Sequence, residues 1–382
     1  MHNFVALWNL FDYFYQMDSF EASTACKLRA LETAILPVLD DANARGVFSA
    51  AAVLVATDGI VSEIYRGTVR TWDTPEHAAP TPWPETGRDT RFDLASLTKP
   101  IVAAAFLAEL DARGQSSALL VSELLPEFAT KGLAHVTVGM LLGHTAGFCP
   151  EWLDRRDGAT MTQFRAVAHA VDPHPGHQYS CVGYIWAGLA LEAIAQQPLA
   201  NVLQSRVLAP LTMMNTGFRP PIDSLGQIAA TEFQGVRGLV HGEVHDEASW
   251  TLGGATGNAG LFGTARDVMW FAEALRTGLT RHGTPVFSQA VLAALRTPLG
   301  TTTAGGYQQA LGPRVNEPWS RALGSTVLSH TGFTGTAFAT EAGGRRSVVF
   351  FTNRVHPTRA SAEVHELRER IAEIAARIED QP

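Results

Sequence analysis

The stretch Asp93-Leu94-Ala95-Ser96-Leu97-Thr98-Lys99-Pro100 decides how this 382-residue chain is read. A serine three residues ahead of a lysine shares one helix face with it, so a nucleophile and its activating base can meet there. Such short motifs also arise by chance. This chain, however, holds only three lysines, Lys27, Lys99 and Lys131, and Thr24 and Phe128 stand at the matching position before the other two. Downstream, Ile101 to Leu110 is an alanine-rich run with Phe106, Leu107 and Leu110 at helical spacing, closed by Gly114. Pro100 lacks an N–H and fits only a first turn, which limits where that helix begins. Ser96 is thereby predicted at the helix mouth, where free N–H groups and the positive end of the dipole favour developing negative charge.

On the N-terminal side, Glu21 to Gly46 reads as a helix with Leu28, Leu31, Ile35, Val38 and Ala42 on one stripe and Pro37 kinking it. Two strands, Ala51 to Thr57 and Ile60 to Val69, flank Asp58-Gly59, a favoured hairpin turn. Thr71 to Asp89 is a proline-rich surface loop. On the C-terminal side, Val136–Leu142, Met161–Val171, Tyr184–Gln196, Ala265–Leu275 and Ser288–Arg296 have helical spacing. The pattern then returns to short β-rich runs at Thr326–Ser329, Thr336–Thr340 and Ser347–Asn353. A last helix places Val364, Leu367, Ile371, Ile374 and Ile378 on one stripe. Strands at both ends around a helical middle predict an α/β fold of the α+β kind. An antiparallel sheet is flanked by N- and C-terminal helices, with a mainly helical region inserted. The expected divisions are an N-terminal extension (1–20), a sheet domain (21–95 with 300–382) and the helical region carrying the nucleophile (96–299).

Composition narrows the function. Apolar residues make up 46%, charged residues 17%, and the net charge is -8 with no basic run, which excludes a general nucleic-acid binder. Cys26, Cys149 and Cys181 are odd in number and lack CxxC spacing, so neither a disulfide framework nor a zinc ribbon is indicated. The first segment, Met1 to Phe20, is aromatic but carries Asp12 and Asp18 and no lysine or arginine, unlike a secretory signal. Met17 is an alternative start. With no membrane span legible either, the expected location is the cytoplasm.

Two further motifs lie downstream. Pro175-Gly176-His177-Gln178-Tyr179-Ser180-Cys181 is a turn entering a helix, and His330-Thr331-Gly332-Phe333-Thr334-Gly335 joins two strand-like runs. Taken singly, the first is packing and the second a turn. Together with Ser96-x-x-Lys99 they resemble, in type, order and spacing, the penicillin-binding-protein and class C β-lactamase family of serine hydrolases. Val136 to Gly147, Pro210 to Phe218, Gly260 to Ala265 and Phe351 to Arg354 look like its esterase-type members. The resemblance implies Ser96 as nucleophile, Lys99 as its activator and Tyr179 as general base. It also implies an oxyanion hole from the N–H groups of Ser96 and Phe333, and substrate contacts from Cys181, His330, Thr331 and Gly332. Free tyrosine and lysine both titrate near 10, so their mutual proximity must supply the base. No metal or organic cofactor is implied, and the partner is a small ester, amide or peptide.

Two departures bear on substrate. Cys181 stands where the family usually has an asparagine, and His330 where most β-lactamases have a lysine, which removes an anchor for anionic substrates. Phe333 should narrow the mouth and favour small or flat acyl groups. Carboxylic esters are therefore the first expected substrate class, with D-amino-acid peptides or slow β-lactam turnover as the alternative. A catalytically poor ligand-binding homologue is the reading from another class, and association through the last helix a weaker third. Other signals are expected to be structural. His241 and His245 are spaced like a metal pair but sit among loop residues. His144 is expected to hold a turn, and Gly253 to Gly260 to form a tight turn lining the cleft.

Overall fold

The computed structural model describes residues 27–74, 76–129, 132–152, 160–167, 176–300, 302–360 and 363–377. The aromatic stretch Met1–Phe20, the last part of the helix expected to Val171, and Ile378 lie outside these residues. The first helix, α1, covers residues 27–44 and runs through Pro37. Strands β1 (Ala50–Thr57) and β2 (Ile60–Gly67) follow, paired antiparallel with Thr57 opposite Ile60. The Asp58-Gly59 loop between them has φ of 50° and 83°, the left-handed pair that a tight hairpin requires. The short β3 (Arg91–Asp93) leads into the helical region: α2 (Thr98–Ala112), α3 (Val138–Leu142), α4 (Met161–Val167), α5 (Cys181–Ala195) and α6 (Leu199–Leu203). After β4 (Gly217–Phe218), β5 (Phe233–Gln234) and β6 (Gly238–Leu239) come α7 (Glu247–Thr251), β7 (Leu261–Thr264), α8 (Ala265–Thr277) and α9 (Gln289–Arg296). The chain ends in β8 (Gln308–Gln309), β9 (Arg314–Val315), β10 (Val327–Thr331), β11 (Thr336–Glu341), β12 (Arg346–Thr352) and α10 (Val364–Arg377).

The main sheet has the order β2-β1-β12-β11-β10-β9-β8 and is antiparallel throughout. Strands from the two ends of the sequence thus meet at β1 and β12, as the pattern of the sequence predicted. The period of two sorts the side chains of β1. Ala50, Ala52, Leu54 and Ala56 join the core shared with the helical region, while Ala51, Val53 and Val55 join the core under α1 and α10. Both faces are buried, which is why β1 and β12 read as nearly continuous apolar runs rather than alternating ones. A second, three-stranded sheet, β3-β7-β4, braces the segment just before Ser96. Among the described residues, no helix is long and apolar enough to cross a membrane.

Candidate active site

The turn that carries Ser96 is held by one buried carboxylate. Asp93, at the end of β3, accepts the Ala95 N–H on Oδ1 at 2.8 Å and the His245 N–H on Oδ2 at 2.6 Å. Burial pushes its carboxyl up, and these N–H donors pull it back only in part. Ala95 adopts φ of 45°, a conformation that costs a residue with a Cβ of order 1–3 kcal/mol. From the other side, the Thr334 hydroxyl donates to Asp93 O at 2.7 Å and the Thr336 hydroxyl to Leu94 O at 3.1 Å. Gly332 lets this turn approach: a Cβ there would lie 2.1 Å from Thr336 Oγ1 and 2.7 Å from Leu94 O. The strain at Ala95 is thus fixed by packing from two directions, and Ser96 is left half-buried in a single 3-10 turn before α2.

Lys99 lies one turn on and is completely buried. Its Nζ donates to Ser96 Oγ at 2.9 Å, to the Asn258 carbonyl at 3.0 Å and to Cys181 Sγ at 3.5 Å. Burial works against its charge, but the charge and hydrogen bond of Tyr179 beside it favour the ammonium, which is held above its ordinary range. Cys181 is shifted the other way: burial pushes the thiol up, so it faces Lys99 as a neutral group. Asn258 is itself held rigid. Its Oδ1 accepts from Thr256 Oγ1 at 2.7 Å and Ser249 Oγ at 3.1 Å, and its Nδ2 donates to Asp246 at 3.2 Å. The Gly253–Gly260 segment therefore does line the cleft, and it also supplies an acceptor for Lys99 that residue types could not reveal.

Tyr179 lies over Lys99, with the ammonium 5.0 Å from the ring centroid. His144 grips this tyrosine on three sides. Its carbonyl accepts the Gln178 N–H, its Nδ1 accepts the Ser180 N–H at 3.0 Å, and its ring packs 4.4 Å from the Tyr179 ring. His144 has φ of 57° and is a buried, neutral imidazole, depressed well below its ordinary value by burial and by Lys99. It holds a turn as expected, and the turn it holds is the one carrying Tyr179.

The strand opposite departs from expectation at one residue. His330 was expected to face the substrate, but its ring is completely buried, with Nδ1 donating to Thr331 O at 3.0 Å. Burial, Arg314 and Lys99 depress it well below its ordinary value, so it contributes no charge. The sequence reading overlooked Arg314 on β9. Its guanidinium lies 5.1 Å from the Tyr179 ring centroid and 4.7 Å from that of Tyr307, and it donates to Thr331 Oγ1 at 3.1 Å and to Glu317 at 2.5 Å. A guanidinium thus stands beside Thr331, brought by a neighbouring strand and paired with the buried Glu317 carboxylate. Phe333 is half-exposed at the rim, stacked on His245 and covered by Arg354, whose guanidinium lies 4.6 Å from its centroid. No backbone acceptor among the described residues takes its N–H. Ser96, Tyr179, Cys181, His245, Phe333 and Arg359 open on one cavity of about 200 Å³.

The other signals settle plainly. His241 bonds to the Ile228 carbonyl and His245 to Glu232, so the two histidines share no ligand position. No cluster of three or more metal-ligating side chains occurs among the described residues.

With this geometry in view, comparison with known proteins decides the family. The beta-lactamase family model matches residues 37–373. The chain belongs to the beta-lactamase family. Within that family it is a serine hydrolase. A putative D-alanyl-D-alanine carboxypeptidase of Salmonella agona is 26% identical over 312 residues, 72% of each chain. EstCE1, described as a hydrolase with promiscuous acyltransferase activity, superposes with a TM-score of 0.70 at 22% identity, covering 91% of this chain and 99% of its own. A class C beta-lactamase from Rhodobacter sphaeroides gives a TM-score of 0.67 at 18% identity, covering 90% and 98%. At these identities the structural likenesses speak to the fold, over about nine-tenths of this chain.

Proposed function

We propose that this beta-lactamase-family protein works through an acyl-enzyme on Ser96, with carboxylic esters as its first substrate class. Ser96 Oγ attacks the carbonyl carbon, its proton passing to the Tyr179–Lys99 pair and from there to the leaving group. The N–H groups of Ser96 and Phe333 receive the developing oxyanion, each such donor typically being worth about 3 kcal/mol. The observation that carries this reading is the buried Lys99 ammonium, fixed at 2.9 Å from Ser96 Oγ by the Asn258 carbonyl behind it. Esters are favoured over amides because a neutral Cys181 thiol offers a substrate amide neither a strong donor nor a strong acceptor. Arg314 supports a second substrate class, carboxylate-ended D-amino-acid peptides, in keeping with the name of the Salmonella relative. The cytoplasm remains the proposed location, and Cys149 and Cys181 are free thiols, as a reducing compartment would leave them. The test is intact mass during exposure to an activated short-chain ester, with the released chromophore followed in parallel. Wild type is expected to gain the acyl mass and turn over, and Ser96→Ala to do neither. If wild type is never acylated, the cleft is a binding site and the hydrolytic assignment of these residues fails.

A further inference from the structure

One imidazole in this cavity takes no part in the scheme above. His245 Nε2 lies 2.9 Å from Glu232 Oε2, deep in the protein. Glu232 also accepts from Arg359 Nε at 2.7 Å and is held at about 2, burial being outweighed by His245 and Arg359. An ionised carboxylate only accepts, so the Nε2–H donates to it, and in the neutral form of an imidazole held this way the lone pair lies on Nδ1. That nitrogen has no hydrogen-bond partner among the described residues, and His245 lines the cavity on which Ser96 opens. The ring cannot swing away, being stacked at 5.5 Å on Phe333, the neighbour across the oxyanion position. Its backbone is just as fixed. The N–H groups of His245 and Ala95 are bound to the two oxygens of one carboxylate, Asp93, which ties the imidazole directly to the nucleophile turn.

A base with an orienting carboxylate, lining the same cavity as the nucleophile, fits the step for which the scheme above names no base, the release of the acyl group. We propose that His245, oriented by Glu232, is the general base that activates the water or alcohol releasing the acyl group from Ser96. The oxygen of that nucleophile bonds to the acyl carbon while its proton moves to His245 Nδ1. The tetrahedral intermediate then expels Ser96 Oγ with the electron pair of the C–O bond, and the Tyr179–Lys99 pair returns a proton to the serine. His245 gives its proton up to solvent, from which the pair is recharged. This inference rests on the acyl-enzyme reading, and the two can fail separately.

The decisive experiment follows acylation and deacylation by quenched intact mass with an activated short-chain ester, in wild type, His245→Gln and Glu232→Gln. Acylation of Ser96 is expected to stay close to wild type in His245→Gln while deacylation slows about a hundredfold, so that acyl-enzyme accumulates. Glu232→Gln should accumulate it to a lesser degree. Should His245→Gln fold poorly, His245→Gly supplemented with imidazole gives the same information, since added imidazole should restore deacylation. A His245→Gln protein that deacylates within about threefold of wild type, or an imidazole-insensitive His245→Gly, overturns the assignment. Absence of acylation in wild type strikes the acyl-enzyme reading instead.

Discussion

Cys181 is the residue at which the proposed preference for esters is open to test. Its sulfur sits 3.5 Å from the Lys99 ammonium, and burial keeps the thiol neutral, so the contact is a weak one. Cys181→Asn would present a carboxamide whose oxygen accepts from Lys99 and whose NH2 can donate to a substrate amide carbonyl. One such bond is worth about 1 kcal/mol or slightly more, so kcat/KM for amides or β-lactams should rise on the order of tenfold while ester turnover changes little. Parallel kcat/KM measurements on matched ester and amide substrates check this; a fall in both by the same factor would show that the thiol is needed for packing instead. At this scale the sequence was legible where side-chain type and spacing bring groups together in space, as at Ser96 and Lys99, which meet at 2.9 Å, and at Tyr179, whose ring lies 5.0 Å from the Lys99 ammonium. It was silent on the Asn258 carbonyl, because a backbone acceptor leaves no mark in residue type. Asp93 and Arg314 were missed for another reason: their partners are remote in sequence, and an isolated acid or arginine announces no partner.

The elements were legible where a period or a cap announced them. Thr137, Ser180, Thr264 and Ser288 each accept a backbone N–H at the start of α3, α5, α8 and α9, which is why those helices begin close to where the pattern placed them. The strands β3, β4 and β7 went unread, being two to four residues long and too short for a period to show. Yet they brace the turn that carries Ser96. The link between α3 and α5 has a consequence of its own, since His144, just after α3, grips residues 178–180 ahead of α5. His144→Asn keeps an oxygen where Nδ1 accepts and tolerates the left-handed backbone, but removes the ring packed on Tyr179. Tyr179 then loses its lateral support, and kcat should drop by about tenfold or more with KM little changed, as expected when a proton-transfer group is misplaced while substrate binding is left intact. Steady-state kinetics alongside thermal unfolding would decide: unchanged kcat with a lowered Tm would reduce His144 to a structural residue.

Over the whole molecule, parts far apart in sequence are joined by ion pairs and also by buried neutral imidazoles, and the imidazoles set how the fold responds to mild acid. His356, just past β12, is the clearest joint. Its Nε2 accepts the N–H groups of Thr71 and Trp72 at 3.2 Å each, and its Nδ1 donates to the Thr231 carbonyl at 2.8 Å. Only the neutral ring can do this, because protonation of Nε2 would place a donor against two donors. Burial, aided by nearby Arg70 and opposed by the Thr231 bond, accordingly lowers it from 6.5 to about 4. A pKa depressed on folding means that the unfolded chain takes up the proton first. The stabilisation is therefore complete above about 6.5 and is lost progressively as pH falls through about 4, amounting to roughly 3 kcal/mol across that window. His144 and His330 are depressed in the same direction and steepen the same limb. Urea unfolding midpoints taken from about pH 7 down to about pH 4 should fall throughout this range for wild type. His356→Gln should be less stable near neutrality but decline less steeply, because one titrating joint has been removed. An identical slope in the two proteins would mean that His356 takes up its proton without opening the loop it holds, and that the acid limb belongs to the histidines around Tyr179.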